Sequence, residues 1–392
     1  MPFGRRLAEG RGMSVFARAL DVQQETRVAP WAGRALFAIT ILLLGLGLLW
    51  LYSASSFVAT SEGLPGTYYL VQQATHAGVG LVALAAARYI DYRIWRRLAW
   101  PLLIVSIVLL VIVILPGTEA IAPRVNGARR WLRLGMTVQP SELAKYALVV
   151  WVAAVAVKKQ DRLHSLRYGL GPFLVVAGGI CGLLLLEPHF SAALLTAAVT
   201  TVVLFAAGAR LGHFALMAGF GLPLAWVVVT HAGYRSSRIS AFLHPTPGAQ
   251  GVGYQLRQSL IAVGSGGMFG VGYGASRQKL YYLPEPQNDF IFPIIAEEWG
   301  LVGSVLVIGL FLGWTLVALR IAASAPDLFG RLLAIGITAL IAVTAFGHIG
   351  VTLGVLPTTG INLPFVSAGG THLVMALFGT GVLLNISAQR RC

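Results

Sequence analysis

Charged side chains in this sequence concentrate in a few segments where catalysis or ligand binding is plausible, and one of them carries four carboxylates, including Glu285. The segment YYLPEPQNDFIFPIIAEEWG, residues 281–300, places Asp289 where a polar loop passes into an apolar stretch. Glu297 and Glu298 follow more than two turns later. At about 100° per residue, Glu297 lies about 80° round a helix from Asp289 and Glu298 lies on the opposite face. We therefore expect that both glutamates cannot share one pocket with Asp289.

The residue types and positions suggest a structural role for these carboxylates. Asp289 could be the N-cap of the helix that follows. A carboxylate buried at membrane depth costs roughly 2.5–3.5 kcal/mol. We therefore expect Glu297 and Glu298 to be protonated, hydrogen-bonded or matched to an arginine or lysine.

A second segment combines arginines with a helix start that holds an internal ion pair. It reads NGARRWLRLG over 126–135, followed by QPSELAK over 139–145. Glu142 and Lys145 are three residues apart and share a helix face. One interpretation is a neutralised ion pair at a capped helix end, with Trp131 in the interfacial belt. The other is that Arg129, Arg130 and Lys145 line an anion site, because an ionisable residue inside a span suggests a site.

A glycine-rich segment, GVGYQLRQSLIAVGSGGMFGVGYGASRQK over 251–279, ends in two further cations, Arg277 and Lys279. Its residues 254–263 have helical apolar spacing and could lie along the membrane interface. The glycines follow no strand and precede no Lys-Ser or Lys-Thr pair, so neither nucleotide-binding fingerprint applies. The segment serves either close helix packing or backbone approach to a ligand.

Two further segments lack such clear chemistry. Glu187-Pro188-His189 forms a turn between two apolar stretches, and a lone histidine there is more often structural than a ligand. HIGVTLGVLPTTGINLPFVSAGG, 348–370, is broken by prolines and a glycine. Irregular backbone at this depth is tolerated where it is buried in protein or lines a cavity.

The elements that must position these residues are membrane helices. Hydrophobic residues make up 57% of the 392 and charged residues only 11%, against roughly 25% charged in soluble domains. About 20 apolar residues cross a bilayer. The sequence therefore predicts an all-α polytopic bundle of about ten spans. These are 34–56, 67–88, 98–116, 139–157, 168–187, 189–208, 212–231, 289–320, 331–351 and 366–387.

Two of these spans carry a specific expectation. The boundary between 168–187 and 189–208 depends only on Pro188, and the span 289–320 is long enough to be broken or tilted. Residues 1–33 form a basic tail, 34–387 form the membrane domain with its large outer loop 232–288, and 388–392 form a short tail.

The positive-inside rule sets the orientation of the bundle. Placing both ends in the cytoplasm puts most of the 29 basic residues on the inner side. Nine fall in the two long outer loops, 117–138 and 232–288: Arg124, Arg129, Arg130, Arg133, Arg235, Arg238, Arg257, Arg277 and Lys279. They are either tolerated there, because long loops translocate regardless of charge, or they bind an anionic ligand with arginine forks.

Taken together, these segments resemble the SEDS family of FtsW, RodA and SpoVE, and are closer to its FtsW branch. The matching pieces are NGARRWL with QPSELAK, GSGGMFGVGYGASRQK, LPEPQNDFIF with AEEWGLVG, and GVLPTTGINLPFVSAGG, in family order. The resemblance implies a peptidoglycan glycosyltransferase in the bacterial cytoplasmic membrane. Such an enzyme polymerises lipid II on the outer face, for cell division or cell-shape maintenance.

The resemblance assigns roles to particular residues of this chain. It implies Asp289 as the essential carboxylate, which we interpret as the general base. The predicted substrate-binding residues are Arg129, Arg130, Trp131, Glu142, Lys145, Arg277, Lys279, Glu285 and Ser367. The cations would bind the pyrophosphate, with Arg277 and Lys279 as weaker candidates. The sequence identifies no cofactor or resident metal, but a divalent cation, Mg²⁺ or Mn²⁺, could share that charge.

This chain departs from the family pattern at several positions. His189 stands where the family usually has Asp, Gln287-Asn288 where it has His-Thr, Thr359 where it has Lys, and Ala368 where it has Tyr. The lost carboxylate and lysine put chemistry borrowed from those positions in doubt.

Two other function classes are compatible with the sequence. One is a flippase or transporter of the lipid-linked precursor, and the other is a non-catalytic scaffold of the division complex. The expected partners are lipid II, membrane lipids and, by resemblance, a class B penicillin-binding protein; no nucleic-acid partner is predicted.

Overall fold

The structure is a computed structural model that describes residues 30–125, 128–230, 238, 240, 242–243 and 251–389. The predicted basic tail up to residue 29, Arg235 and residues 390–392 lie outside the described residues.

Helices account for most of the described chain, and the strands form two short hairpins. The α-helices are α1 (Pro30–Ser61), α2 (Tyr68–Tyr89), α3 (Arg93–Ile114), α4 (Pro140–Lys158), α5 (Gly171–Leu186), α6 (Phe190–Ala206), α7 (Leu211–Thr230), α8 (Val252–Ser265), α9 (Ile291–Ala323), α10 (Leu328–Thr352) and α11 (Gly370–Ala388). A 3₁₀ turn, Gln160–Arg162, and a π turn, Leu166–Leu170, lead into α5. The strands are β1 (Arg124–Val125), β2 (Ala128–Arg129), β3 (Leu132–Leu134) and β4 (Met136–Val138).

The membrane-helix class is confirmed. Within the described residues, eight helices are long and apolar enough to cross a membrane, and α6 is a shorter apolar helix. A helix lies over each of the ten predicted spans, although the crossing number of ten and the cytoplasmic termini remain predictions. The predicted break at Pro188 is confirmed, because α5 ends at Leu186 and α6 begins at Phe190.

Helix α4 lies at the centre of the bundle and carries Glu142 and Lys145 into it. Its most apolar window is 89% buried, against 28–67% for the other seven candidate spans. Small residues allow the surrounding helices to approach closely. Gly80 of α2 and Gly381 of α11 contact the opposite helix so closely that an added Cβ would collide with Leu377 and Leu84.

Helix α9 is broken, as its length suggested. Gly300 has φ 64° and ψ −156° inside it, a left-handed backbone that glycine adopts without steric cost. The loop after α8 replaces the missing helical hydrogen bonds. The amides of Leu301 and Val302 donate to the carbonyls of Gly267 and Met268 at 2.9 and 3.2 Å. In return, the amides of Val271 and Gly272 donate to the carbonyls of Glu297 and Glu298 at 3.0 and 3.1 Å.

The predicted amphipathic segment after residue 250 forms α8. Its residues Leu256, Ser259 and Ala262 are buried, and the Ser259 hydroxyl donates to the Thr352 carbonyl of α10 at 2.7 Å. In the loop before α4, the antiparallel hairpins β1–β2 and β3–β4 were not predicted. They place Arg130 and Trp131 at the junction between them.

Candidate active site

A cavity of about 440 Å³ opens among α2, α4, α6, α10 and α11. The loop after β2, the segment before α9 and the irregular segments 360–362 and 368–369 complete its wall. Of the predicted site residues, the following line it: Arg130, Trp131, Glu142, Lys145, Glu285 and Asp289. The fold therefore brings together residues that are up to 159 positions apart in the sequence.

Asp289 lies on the cavity wall immediately before α9. The N-cap of α9 is Phe290, and no side chain caps it, so the N-cap interpretation of Asp289 is wrong. Burial and the nearby Glu285 carboxylate raise the Asp289 pKa to about 6, although Arg238 and Arg130 oppose the shift. A carboxylate with this pKa is mostly ionised at neutral pH and still holds a proton well enough to act as a base.

The segment that carries Asp289 is fastened to the irregular segment before α11. The Ala368 amide donates to the Gln287 carbonyl at 2.9 Å. The Ser367 hydroxyl donates to the Asn288 carbonyl at 2.7 Å and accepts from the Leu363 amide at 2.9 Å. Ser367 is buried behind the wall. It therefore fixes the backbone next to Asp289, whereas we predicted that it binds substrate.

Gly360 and Glu285 complete the surroundings of Asp289. A Cβ added at Gly360 would lie 3.3 Å from the Asp289 Oδ2 atom. The Glu285 carboxylate faces the cavity and accepts hydrogen bonds from Asn288 Nδ2 at 2.7 Å and from Gln287 Nε2 at 3.4 Å. Asp289 therefore lies between a glycine without a side chain and a second, hydrogen-bonded carboxylate.

The first turns of α4 contribute a buried ion pair to the same cavity. Lys145 Nζ lies 2.8 Å from Glu142 Oε1, as the spacing of three residues predicted. The other oxygen, Glu142 Oε2, lies 3.0 Å from His372 Nδ1 of α11. Lys145 thus contributes a positive charge whose carboxylate partner is shared with a histidine.

The two neighbouring arginines of the hairpin loop take different directions. Arg130 lines the cavity and donates from Nη2 and Nε to the carbonyls of Pro188 and Glu187 at 2.6 and 3.3 Å. Arg129 lies outside the cavity lining, pairs with the exposed Glu119 and donates to the Leu115 carbonyl at 3.2 Å. Of the two, only Arg130 is therefore placed to meet a ligand in the cavity.

The turn between α5 and α6 holds two buried titratable groups beside Arg130. Burial raises the Glu187 pKa to about 8 against the opposing effect of Arg130, so this acid is largely neutral at pH 7. Burial, together with Arg130 and Lys145, lowers the His189 pKa to about 3. His189 lines the cavity as a neutral imidazole.

Arg277 and Lys279 lie away from the cavity, beside the break in α9. Lys279 Nζ contacts Glu298 Oε1 at 2.9 Å, the Gly274 carbonyl at 2.8 Å and Ser53 Oγ at 3.1 Å. Glu297 accepts from Ser276 Oγ and from the Arg277 amide, the latter at 3.0 Å. We call Ser53, Ser276, Lys279, Glu297 and Glu298 the Lys279 cluster. Our expectation that both glutamates are hydrogen-bonded or paired, outside the Asp289 pocket, is confirmed.

Several cavity residues were not singled out from the sequence. Gln73 and His76 face it from α2, His372 from α11 and Asn362 from the irregular segment. Histidines inside predicted spans are a site signal that would have identified His76 and His372. Arg238, one of the nine basic residues of the two long loops, donates to the Thr358 carbonyl at 3.3 Å and acts electrostatically on Asp289.

The described part of the chain was compared with the ligand sets that hold metal ions in proteins. No group of three or more His, Cys, Asp or Glu side chains is arranged there to hold one.

These features define a multi-pass membrane protein with a polar cavity buried in its bundle, and comparison with known proteins places it in a family. The family model of the FtsW, RodA and SpoVE cell cycle proteins matches residues 34–392. The chain belongs to this family.

Curated relatives align along nearly the whole chain. It is 46% identical over 355 residues to the "Probable peptidoglycan glycosyltransferase FtsW" of Trichlorobacter lovleyi, covering 90% of this chain and 92% of that one. It is 39% identical over 357 residues to "Stage V sporulation protein E" of Bacillus subtilis, covering 91% and 97%.

Solved structures share the fold. A chain from a structure described as "Structural coordination of polymerization and crosslinking by a peptidoglycan synthase complex" matches with a TM-score of 0.74 and 28% identity, covering 90% of this chain and 96% of that one. The rod shape determining protein RodA of Thermus thermophilus matches with a TM-score of 0.65 and 27% identity, covering 90% and 95%.

Proposed function

We propose that this protein is a peptidoglycan glycosyltransferase that polymerises lipid II on the outer face of the cytoplasmic membrane. The observation that carries the proposal is one cavity holding a base of raised pKa, Asp289, together with the cations Arg130 and Lys145. The relatives named as FtsW glycosyltransferases support the reaction class.

The proposed reaction joins two lipid-linked disaccharides. The 4-hydroxyl oxygen of the acceptor sugar attacks the anomeric carbon of the donor. As the new C–O bond forms, the hydroxyl proton passes to the Asp289 carboxylate. The bond from the anomeric carbon to the diphosphate oxygen breaks, its electron pair leaves with the lipid diphosphate, and the anomeric centre inverts.

A single carboxylate is enough for this chemistry. An inverting glycosidase needs both an acid and a base, because its leaving group must be protonated. A diphosphate leaves as a stable anion and needs positive charge instead. Arg130 and Lys145 would supply that charge, and Glu142 holds the Lys145 ammonium in position.

A helix start would lower the pKa of a capping aspartate and weaken it as a base. Asp289 lies one residue before the cap of α9 and makes no capping hydrogen bond to it. Burial and Glu285 have the larger effect on its pKa, which is raised.

The remaining predicted residues receive different roles in this proposal. Trp131 and Glu285 would contact the sugars from the cavity wall, and Ser367 would hold the Asp289 segment in register. The side-chain contacts of Arg129 and Lys279 favour a structural role over direct phosphate binding. Arg277 is exposed and lies outside the cavity lining.

The test is polymerisation of lipid II by the purified protein in detergent. Asp289→Asn should lower glycan formation by at least about 10²-fold, as expected for loss of a general base, without a change in unfolding temperature. The matched control is Asp327→Asn. Asp327 caps α10 through the Gly330 amide at 2.7 Å, and asparagine caps as well as aspartate. Full activity of Asp289→Asn would contradict the assignment.

The polymerisation assay excludes or supports a flippase, and a growth assay does the same for a scaffold. A flippase makes no glycan in detergent, where no two-sided membrane exists. If the protein were a scaffold, its Asp289→Asn variant would still support growth of a strain depleted of the wild-type protein. For the proposed enzyme, the same variant would not support growth.

We further propose a class B penicillin-binding protein as the partner that crosslinks the glycan. The support is the likeness to a chain of a peptidoglycan synthase complex. Co-purification with such a transpeptidase, together with a higher polymerisation rate in its presence, would establish the pair.

A further inference from the structure

A groove of about 480 Å³ lies at the other end of α9 from Asp289. Asp289 precedes α9, whereas the connection from α9 to α10, residues 324–327, follows that helix and borders the groove through Asp327. The rest of the described lining is Phe329 of α10 and three arginines of α3: Arg93, Arg96 and Arg97. The groove shares no residue with the candidate active site, and the predicted orientation places it on the cytoplasmic side.

The carboxylate that borders the groove is already hydrogen-bonded. Asp327 Oδ1 accepts from the Gly330 amide at 2.7 Å. Its Oδ2 accepts from Tyr92 Oη at 2.8 Å and from Arg93 Nε at 3.4 Å. Arg93 also lies 3.8 Å from Asp91. The charge of Arg93 is therefore taken up by two aspartates, and it contributes little to an incoming ligand.

The other two arginines of the groove have no such partner. Neither Arg96 nor Arg97 makes an ion pair or a side-chain hydrogen bond among the described residues, and both are exposed. The three arginines and two aspartates at this corner leave a net charge of +1 (3 − 2), and the unpaired charge is on Arg96 and Arg97. A guanidinium presents its N–H donors as a planar fork that matches two phosphate oxygens. The groove therefore offers unused charged donors to an anion.

An exposed apolar strip continues from these arginines along α3. It begins three residues after Arg97 and keeps the spacing of one helix face. Its members are 55%, 55% and 50% exposed: Trp100, Ile104 and Val108. Tryptophan is typical of the boundary between headgroups and acyl chains. Charged donors at the end of a lipid-facing apolar strip match the layout of a phospholipid, with a charged headgroup followed by an acyl chain.

We propose that this groove binds the headgroup of an anionic phospholipid. The phosphodiester accepts hydrogen bonds from Arg96 and Arg97, and an acyl chain lies along the α3 strip. Each arginine near the membrane surface raises the affinity for an anionic lipid by about fivefold. A zwitterionic headgroup gains less, because its ammonium group is repelled by the same arginines. The site is separate from the proposed glycosyltransferase activity and does not rest on it.

The positive-inside rule alone also places arginines at this end of the bundle. That rule requires positive charge, but it requires neither a groove nor an adjoining apolar strip. Arg162 and Arg167 provide the comparison, because both are exposed and lie outside the groove lining. Trp100, near the start of α3, contacts Trp151, near the end of α4, with ring centroids 5.4 Å apart. The residues that follow α4 therefore lie at the same end of the bundle.

The experiment measures which phospholipid stays bound to the full-length protein in native mass spectrometry. The purified protein in detergent receives equimolar phosphatidylglycerol and phosphatidylcholine. The wild type should retain phosphatidylglycerol in preference to phosphatidylcholine by about tenfold or more. Arg96→Gln combined with Arg97→Gln should reduce this preference to less than about threefold. Arg162→Gln combined with Arg167→Gln removes the same charge and should leave the preference unchanged.

Three results would overturn the proposal. The first is a wild type without a preference for phosphatidylglycerol, and the second is an equal preference in the two double variants. The third is displacement of bound phosphatidylglycerol by an equal concentration of glycerol 3-phosphate, because a headgroup without acyl chains cannot use the apolar strip. Unfolding temperatures measured without added lipid check the fold of each variant. Arg97→Gln alone, which should lower the preference by about fivefold, keeps the test decisive if the double variant at 96 and 97 does not fold.

Discussion

The cavity around Asp289 and the Lys279 cluster both bury charged side chains in the same bundle, but they differ in how those charges are satisfied. In the Lys279 cluster, Lys279 has three oxygen partners and each glutamate accepts several hydrogen bonds. In the cavity, Lys145 shares its carboxylate with His372, and buried nitrogens of His189 and His372 have no hydrogen-bond partner among the described residues. Buried polar groups without hydrogen-bond partners beside a cavity indicate a ligand-binding site. A cluster whose polar groups are all hydrogen-bonded indicates a structural role.

Disruption of the Lys279 cluster should change the free energy of unfolding more than any other substitution considered. Lys279→Met leaves Glu298 without its cation and should lower the free energy of unfolding by roughly 3–5 kcal/mol. Lys279→Met combined with Glu298→Met should recover most of this loss, since two apolar side chains need no partner. Denaturant unfolding in detergent measures both variants. Polymerisation per folded molecule should stay near wild type, and a selective loss of activity would assign the cluster to catalysis.

Substitutions of the adjacent residues Arg129 and Arg130 test whether the cavity binds the substrate. Arg130→Gln should lower kcat/KM for polymerisation by about 10- to 100-fold, because it removes a charged hydrogen-bonding group from the site. Arg129→Gln should change it less than about threefold, because an exposed ion pair contributes little. Steady-state kinetics with lipid II measures both. Equal losses of kcat/KM in the two variants would mean that both arginines support the hairpin loop and that Arg130 has no separate role in the cavity.

A substitution at Gly360 tests how tightly the cavity holds the Asp289 carboxylate. Gly360→Ala places a Cβ 3.3 Å from Asp289 Oδ2, which should displace the carboxylate by a few tenths of an ångström and reduce kcat several-fold. The control is Gly309→Ala, since an added Cβ at Gly309 in α9 meets no atom within 4 Å. A Gly360→Ala variant as active as this control would show that the carboxylate can move freely.

The smallest expected effect is a change in the pH profile. Asp289 must be ionised to act as a base, so activity should fall as the pH drops through its pKa of about 6. Glu285→Gln removes a negative charge that raises this pKa, so the acidic limb should move to lower pH by a fraction of a unit. Glu62→Gln, which removes a carboxylate bonded to Tyr69, is the control. An unmoved limb in the Glu285 variant would contradict the role of that charge.

The class of fold and most of the site could be predicted because membrane chemistry restricts the sequence strongly. Apolar runs of spanning length can form only helices in lipid, so helices were expected where they occur. Charges inside such runs are costly, so Lys145 is recognisable as a site candidate from residue type and position, whereas the role expected of Asp289 came from the family resemblance. The same reasoning could not separate Arg129 from Arg130, because their directions depend on the hairpin register of β1 and β2.

Which charged residues contact each other depends on the packing of the bundle. The sequence grouped Lys279 with the anion-binding cations, yet the break at Gly300 and the loop from Gly267 to Gly272 bring it to Glu298 instead. No local pattern contains that contact, since Ser53, which completes it, lies 226 residues away.

Residue type and local spacing are therefore enough to establish the membrane-helix class, the family and the chemistry available to single residues. The partners of those residues follow only from the packing of the helices: Asp289 lies on the cavity wall and does not cap α9, and His372 contacts Glu142 across the bundle. Hydrogen bonds and ion pairs between distant segments depend on how the helices pack, and packing is a property of the whole chain.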